Sequence, residues 1–347
     1  METEATIATQ ASAPASSRTL TRMVARVGQV RELGLLVVLL IVVAFVGVQQ
    51  PRFLALGNIE QILQSIAIIA IVAVGEALVI LTRNVDLSVG SVVGLSAFAC
   101  ADLLKTHHDL NLWLVFAFGC ALGAALGALN GVLVSYAGIP AIVVTLGTLN
   151  IYRGIDFAIA QGKQVNAYDV PDSFLGIAAG HVLGVPLLIL AAAVIAVVAA
   201  YLLRFSRQGR QIYAIGSNPD AAQIVGIRKA RIVFTAFLLS GLLSGFAGVL
   251  WASRFALVDS RAASGLELLV IAAVVVGGVN INGGSGSIVG AMLGAIILGT
   301  IQSGLEILRF SPFWLQAIYG AAILVGVTVD ALITRRVQRV LMAQRLR

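Results

Sequence analysis

Ten long apolar stretches, separated by short polar segments, run through the sequence between residues 33 and 333. Most hold close to the roughly 20 apolar residues that a helix needs to cross a bilayer. Backbone polar groups in lipid must pair within the segment, so we expect a helix for each stretch. The stretches are residues 33–48, 61–82, 87–104, 112–135, 139–160, 185–203, 232–252, 266–280, 287–308 and 313–333. The pattern predicts an all-α, polytopic membrane protein with about ten transmembrane helices; the short first and interrupted eighth stretches leave nine or eleven open.

The distribution of Lys and Arg predicts the orientation, because basic residues between spans favour the cytoplasmic side. With the N-terminus inside, sixteen of the 23 Lys and Arg residues lie in cytoplasmic segments, six lie outside, and Arg153 lies within the fifth stretch. This bias favours ten spans with both termini in the cytoplasm. We expect a basic disordered cytoplasmic arm over residues 1–32, a transmembrane domain over 33–333, and a basic cytoplasmic tail over 334–347.

Composition narrows the function classes. The chain is 59% hydrophobic and 11% charged, whereas a soluble domain has about 45–50% apolar and about 25% charged residues. An ordinary soluble enzyme is therefore excluded, and the net charge of +7 reflects loops beside a lipid bilayer, with no nucleic acid expected as a partner. The three lysines lie outside any phosphate-binding Gly-x4-Gly-Lys pattern, and the three histidines lack metal-ligand spacing. We predict no catalytic residue and no metal site.

Small residues recur at helical spacing in two stretches. Gly119, Gly123, Gly127 and Gly131 are four apart, and Ser240, Ser244 and Gly248 form a similar stripe. Such stripes let helix backbones approach closely in lipid. We interpret both as helix–helix contacts within the chain; a dimer seam or a moving surface is the alternative.

One short pattern occurs twice. The sequence Gly-Ser-Val-Val-Gly at 90–94 resembles Gly-Ser-Ile-Val-Gly at 286–290. Each copy follows a polar break within apolar sequence, at 84–86 and at 280–284. Interrupted segments in corresponding halves are typical of a transporter's pathway, where irregular backbone lines protein or water. Two ordinary cytoplasmic turns would give the same pattern, and the sequence leaves both interpretations open.

Polar side chains inside apolar stretches usually face the interior of the bundle, because a charge at the bilayer centre costs roughly 2.5–3.5 kcal/mol. Such residues include Asn130, Asp156, Gln302 and Glu306. A neutral polyol would need amides and hydroxyls along its path, which Asn84, Thr145, Thr148 and Asn150 could supply. The candidate pathway residues are Glu76, Asn84, Asp86, Ser88, Thr145, Thr148, Asn150 and Asn282. The alternative function is an ion-gradient-driven secondary transporter that uses Glu76 or Asp86 as its proton or cation site.

A basic segment at 204–231 lies between the sixth and seventh stretches, on the predicted cytoplasmic side. Asn218 or Asp220 can cap a short helix that begins near Pro219. Within it the paired alanines Ala221 and Ala222 offer a narrow face that we expect could enter a groove on another protein. The acid-Ala-Ala-x3-Gly pattern that starts at Asp220 resembles the coupling segment of ATP-binding-cassette importer permeases.

The whole of residues 33–333 resembles the ribose-type sugar permease family of these importers. The matching motifs are LTRNVDLSVGS at 81–91, IPAIVVTLGTLNIYRGI at 139–155, GRQIYAIGSNPDAAQIVGI at 209–227 and GLELLVIAAVVVGGVNINGGSGSIVG at 265–290. The first two are most similar to the rhamnose and autoinducer-2 permeases. Where the family often has Glu at the start of the coupling pattern, this chain has Asp220, which keeps the charge but shortens its reach.

The resemblance implies a transport subunit without a catalytic site, in the bacterial inner membrane, working as a dimer with a second copy or a related permease. A periplasmic binding protein would deliver a monosaccharide such as rhamnose or ribose, or autoinducer-2. A separate cytoplasmic ATPase would bind ATP and Mg, so that this chain needs no cofactor, and would grip the loop at 209–227. The residues implied in that coupling are Gly209, Arg210, Gly216, Asn218, Asp220, Ala221, Ala222 and Gly226.

Overall fold

The computed structural model describes residues 15–311 and 313–328, with side chains from Glu32 onward. Over these residues most of the chain is helical, and the predicted all-α class is confirmed. The helices are α1 Ala15–Gln49, α2 Leu56–Leu81, α3 Val89–Thr106, α4 Leu112–Ser135, α5 Ala141–Ala160, α6 Asp172–Ala179, α7 Leu187–Phe205, α8 Arg207–Ser217, α9 Pro219–Ile224, α10 Lys229–Phe255, α11 Leu266–Val276, α12 Ile288–Ile307 and α13 Phe313–Thr328. Two-residue strands β1 (His181–Val182) and β2 (Val185–Pro186) pair as a hairpin.

Each of the ten apolar stretches contains a helix within its described residues. Eight of the helices in the described part of the chain are long and apolar enough to cross a membrane, namely α1 to α5, α7, α10 and α12. Helix α11 is shorter, and α13 is described from Phe313 to Thr328, with residues 329–333 of the tenth stretch outside the described residues. Helix α11 ends after 11 residues because Gly277 and Gly278 follow, and Gly278 adopts a φ of 99° that a helix cannot continue.

Helix α1 reaches into the N-terminal segment. It is described from Ala15, so helical backbone covers residues 15–32 of the arm that the sequence predicts to be disordered over residues 1–32. No proline interrupts the sequence between Ala15 and Gln49, and the apolar helix extends backwards into its basic flank. Residues 1–14 of the arm and the predicted tail at 334–347 lie outside the described residues.

The helices form a buried centre and a lipid-facing periphery. In α2, 83% of the most apolar window is buried, against 17% in α7 and 22% in α4. Helices α2, α3, α10, α11 and α12 therefore make up the core, while α1, α4, α5 and α7 expose apolar side chains on their outer faces. Those outer faces suit contact with lipid tails or with another membrane helix.

The small-residue stripes make contacts within the chain, as predicted. A methyl group at Gly123 of α4 would collide with the backbone of Gly241 and Gly245 of α10, and one at Gly127 with Phe237 and Gly241. The pairing order shows that α4 and α10 are antiparallel. The second stripe sits against other neighbours: Gly248 of α10 touches Val93 and Ser96 of α3, and Ser240 touches Gly75 of α2. Helix α10 thus packs against α2, α3 and α4 at the centre of the bundle.

The segment between α5 and α7 closes the end of the bundle that the charge bias places outside. The Ser253 hydroxyl of α10 donates to the Phe174 carbonyl at 2.7 Å and accepts the Ala178 N–H at 3.1 Å. Lys105 Nζ lies 3.0 Å from Asp169 Oδ2. A hydrogen bond from the Asn166 backbone N–H lowers the pKa of Asp169 below its usual value, and the hydrogen bond from Lys105 makes a smaller contribution in the same direction. Helices α8 and α9 lie at the opposite end, between α7 and α10.

Candidate functional site

The segment implied in coupling folds as two consecutive helices, α8 and α9. The Ser206 hydroxyl caps α8 by accepting the Gly209 N–H at 2.9 Å. Asn218 Oδ1 caps α9 by accepting the Ala221 N–H at 3.0 Å, and Pro219 occupies the first helical position. Of the two predicted caps, Asn218 is therefore the one used, and a helix begins at Pro219 as expected.

The eight coupling residues divide into an inner and an outer set. Gly209, Gly216 and Ala222 are buried, whereas Arg210, Asn218, Asp220, Ala221 and Gly226 are exposed. The two alanines do not form one common face: Ala222 anchors α9 to the bundle, and Ala221 points to solvent. Ile224 and Val225 beside it are 86% and 74% exposed. The tip of α9 thus presents Ala221, Ile224 and Val225 as an apolar surface at the cytoplasmic end.

Helix α8 is joined to the end of α2 by one arginine. Arg83 Nε donates to the Gly216 carbonyl at 2.6 Å, and its Nη2 donates to the Ser217 carbonyl at 2.9 Å. These carbonyls belong to the last turn of α8, where a cation is favoured by the helix dipole. Arg83 itself has a φ of 66°, a left-handed conformation that ends α2 and aims its side chain at α8.

The loop before α12 completes this contact. The Gly284 N–H donates to the Leu81 carbonyl of α2 at 3.1 Å, and the Tyr213 hydroxyl of α8 donates to the Gly286 carbonyl at 2.9 Å. Burial raises the pKa of Tyr213, and its protonated hydroxyl is the donor in this contact. A methyl group at Gly216 would collide with both Leu81 and Gly284. Residues 81–83, 213–217 and 283–286, called the junction below, therefore connect the coupling segment to both polar breaks.

Several of the candidate pathway residues meet in one buried network between α2, α3, α4 and α5. The Asp86 N–H donates to Glu76 Oε1 at 3.0 Å. Asp86 Oδ1 accepts the Ser88 N–H at 2.9 Å and the Ser88 hydroxyl at 2.6 Å. All three side chains are at most 2% exposed. The first break is therefore held by carboxylates within the protein interior.

The network continues into α4 and α5. Asn130 Nδ2 donates to Ser88 Oγ at 2.8 Å, and the Tyr152 hydroxyl donates to Asn130 Oδ1 at 3.4 Å. The Thr145 hydroxyl lies 3.3 Å from the Val85 carbonyl in the break. Thr148, also buried, bonds the Thr145 carbonyl of its own helix. Asn130 and Tyr152 are members that the candidate set missed, although Asn130 stood out as a polar residue in the fourth stretch.

Three candidate pathway residues lie elsewhere. The Asn84 amide donates to Thr82 at the end of α2. Asn150 lies on the exposed face of α5 and donates to the Leu146 carbonyl of the same helix at 2.8 Å. Asn282 is exposed in the second break. None of the eight candidates lines the polar recess at the end of the bundle that lies away from α8 and α9, so their role as a pathway stays a prediction.

That recess is a cavity of about 310 Å³ at the end of the bundle opposite to α8 and α9. It lies between α2, α10, α11, α12 and α13. Its polar lining includes Gln302, Glu306 and Tyr319. Gln302 and Glu306 stood out in the sequence as polar positions near the end of the ninth stretch; nothing in the sequence connected them with Tyr319. Within the described ranges no group of three or more His, Cys, Asp or Glu is placed to hold a metal ion.

Comparisons with known proteins agree with this architecture. Residues 58–327 match the family described as branched-chain amino acid transport system / permease component. The chain is 37% identical over 297 residues to the ribose import permease protein RbsC of Escherichia coli K12, covering 85% of this chain and 92% of the relative.

Two other relatives cover similar shares. The autoinducer 2 import system permease protein LsrC of Enterobacter sp. 638 is 36% identical over 309 residues, 89% of each chain. The D-allose transport system permease protein AlsC of Escherichia coli K12 is 34% identical over 303 residues, covering 87% of this chain and 92% of the relative. No solved structure matches. The chain therefore belongs to the branched-chain amino acid transport system / permease component family, as a multi-pass permease of the inner membrane.

Proposed function

We propose that this permease carries a monosaccharide or a similarly small neutral polyol inward, as the transmembrane subunit of an ATP-binding-cassette importer. The substrates in the names of its relatives, ribose, D-allose and autoinducer 2, are all small and rich in hydroxyl groups. A cytoplasmic ATPase would bind ATP and Mg, a periplasmic binding protein would deliver the sugar, and a second permease would complete the dimer. The chain itself would perform no catalysis.

The observation that carries this proposal is the attachment of α8 and α9. Their free side presents Ala221, Ile224 and Val225, an apolar tip of the kind that another protein covers. Their bound side is fixed by Arg83 and Tyr213 to the ends of α2 and of the loop before α12. A push on the tip would therefore move two core helices together, as in a rigid-body switch. Docking of the ATPase on this tip gives the motion its energy source.

The alternative, a secondary transporter that uses Glu76 or Asp86, predicts a different energy source. Glu76 Oε2 is buried and has no hydrogen-bond partner among the described residues, which is the one feature that favours it. Replacing Glu76 by Gln keeps the shape and removes the ionisable group. Uptake that persists in Glu76→Gln without an imposed ion gradient would count against this alternative.

The proposal is tested by Ala221→Trp in the complete complex, reconstituted in vesicles with its ATPase and binding protein. We expect the bulky side chain to abolish docking, and with it both sugar-stimulated ATP hydrolysis and uptake of labelled D-ribose and D-allose. Ala137→Trp is the matched control, because Ala137 is an exposed alanine in the α4–α5 turn at the same end of the bundle. Undiminished uptake by Ala221→Trp, or accumulation of sugar by the chain without an ATPase, would refute the proposal.

A further inference from the structure

The cavity between α2, α10, α11, α12 and α13 combines polar and aromatic groups at the outer end of the bundle. We propose that it is the first site at which a neutral sugar is held by the permease, with Gln302, Glu306 and Tyr319 binding its hydroxyl groups. The inference rests on the proposed function and goes beyond it by assigning the site and its chemistry. At about 310 Å³, the cavity falls in the size range of small-molecule sites.

The position of the cavity suits entry from outside. On α2 the cavity is lined from Ser65 onward, whereas the junction contacts Leu81, sixteen residues later on the same helix. At 1.5 Å per residue these two levels are about 24 Å apart. Along α12 and the loop before it the order is reversed, with the junction at Gly286 and the cavity at Gln302. The cavity is thus at the end where a delivered sugar would arrive.

The polar groups form a connected row across α12 and α13. The Tyr319 hydroxyl donates to Gln302 Oε1 at 3.1 Å, and Gln302 Nε2 donates to Glu306 Oε1 at 3.1 Å. Within the described residues these bonds leave Glu306 Oε2 free to accept and the second Gln302 N–H free to donate. A sugar hydroxyl both donates and accepts. Neighbouring hydroxyls on one sugar therefore complement this adjacent acceptor and donor.

Two aromatic side chains of α10 form one side of the cavity. The Trp251 and Phe255 rings, one turn apart, both line the cavity, and their centroids lie 4.5 Å apart. Their apolar faces can pack on the C–H face of a sugar ring while the opposite edge of the ring meets the polar row. An apolar wall with a few convergent polar groups is the usual composition of a small-molecule site.

The charged groups in the cavity lining favour an uncharged substrate. Glu306 is the one ionisable acid among the described lining residues, and Lys, Arg and His are absent from that lining. A carboxylate without a cationic neighbour disfavours sugar acids and sugar phosphates. Trp251, Phe255, Ala263 and Ser264 also line a more open recess that reaches Asp259 and Arg261 at the rim. The cavity and this recess form one route for an uncharged polyol.

The test measures the number of labelled D-ribose molecules imported per ATP hydrolysed by the reconstituted complex. We expect Gln302→Ala to lower this ratio about 3- to 10-fold, the effect of losing one or two hydrogen bonds. Gln164→Ala is the control, because Gln164 is an exposed glutamine at the same end that bonds Asn166 and does not line the cavity. A purely structural role would lower import and hydrolysis together and leave the ratio unchanged.

A second measurement does not depend on transport. In a chain with Cys100→Ala and Cys120→Ala, Ser303→Cys places a thiol in the cavity lining. We expect a charged, membrane-impermeant thiol reagent added outside to label it. Failure to label, or a Gln302→Ala ratio equal to that of Gln164→Ala in a complex that imports ribose, would overturn the site while leaving the proposed function intact. A parent complex that imports nothing with ATP would instead overturn the proposed function.

Discussion

The two polar breaks share a sequence pattern but differ in chemistry. In the first break, Asp86 and Ser88 are buried and held by side-chain hydrogen bonds. In the second, Asn282 and Ser285 are exposed, and the backbone turns through glycines with positive φ at 283, 284 and 286. The first break is thus fixed by side chains within the interior, and the second by backbone geometry at the cytoplasmic surface.

The helices that follow the breaks also start at different points of the shared pattern. Ser287 caps α12 by accepting the Gly290 N–H at 2.9 Å. Its counterpart Ser91 already lies inside α3, and its hydroxyl donates to the Ser88 carbonyl at 2.7 Å. The aligned serines therefore have different roles, and the similarity of the two copies does not extend to their hydrogen bonds. The difference suggests a rigid first break and a second break that holds its shape only while packed against α8.

The largest expected effect is that of Gly284→Ala in the second break. The new methyl group would occupy a left-handed conformation, at about 1–2 kcal/mol, and would press on the Ser217 backbone, at about 1–3 kcal/mol for overpacking. We expect the free energy of unfolding to fall by about 2–5 kcal/mol, together with loss of ATP-driven uptake. Thermal unfolding in detergent and vesicle uptake measure the two effects.

Gly138→Ala separates the two contributions. Gly138 has a φ of 73°, close to that of Gly284, but no atom lies within 4 Å of a methyl group placed there. We expect only the conformational cost of about 1–2 kcal/mol. If the two variants lose equal stability, the second break does not depend on packing against α8. The two breaks would then not differ in the way proposed above.

Ser88→Ala tests the first break and has the next largest expected effect. The change removes the hydroxyl that bonds Asp86 and Asn130 and leaves both buried groups short of a partner. We expect a loss of about 1–3 kcal/mol in the free energy of unfolding. Ser91→Ala, which removes a bond within one helix turn, should cost about 0.5–1.5 kcal/mol. Equal losses would show that the network adds nothing to the first break.

Local sequence patterns predicted much of this fold. Each apolar stretch is a helix because hydropathy is a property of the stretch itself, and the Gly123 stripe marks a helix contact because residues four apart share a face. By the same geometry Ala221 and Ala222, about 100° apart on one helix, cannot share a face. The expected narrow face is therefore wrong, since Ala222 is buried and Ala221 is exposed.

Patterns within a single stretch of sequence could not predict the junction or the cavity. Arg83 bonds Gly216 across 133 positions of sequence, and Tyr319 bonds Gln302 from a different helix. Polar residues within apolar stretches pointed to the interior, as Glu76, Asn130 and Asp156 show. Whether such a residue joins a sealed network or faces a cavity depends on how helices from distant parts of the chain pack, which spacing along one helix does not contain.

Arg83→Gly has the smallest expected effect on stability and the most specific one on coupling. Glycine removes the cost of about 1–2 kcal/mol for a side-chain-bearing residue in the left-handed conformation. It also removes two hydrogen bonds of the guanidinium; because Arg83 is exposed and water can replace these bonds, we expect their loss to cost about 0.5–1.5 kcal/mol each. These changes nearly offset each other, so the unfolding free energy should change by about 1 kcal/mol or less. Arg83→Ala loses the same bonds without the backbone relief and should be less stable than Arg83→Gly by about 1–2 kcal/mol.

The amount of sugar imported per ATP should depend on whether the Arg83 guanidinium is present and not on the stability of the variant. Both variants release the end of α8 from α2, so movement of α8 would reach the second break through Tyr213 and Gly286 but would no longer pull α2 through Arg83. We therefore expect both to import less sugar per ATP hydrolysed, even though Arg83→Gly unfolds at nearly the parent temperature. If Arg83→Gly imports as much per ATP as the parent, the first break does not take part in coupling. The second break would then transmit the motion of the ATPase alone, through a loop whose shape is set by glycine.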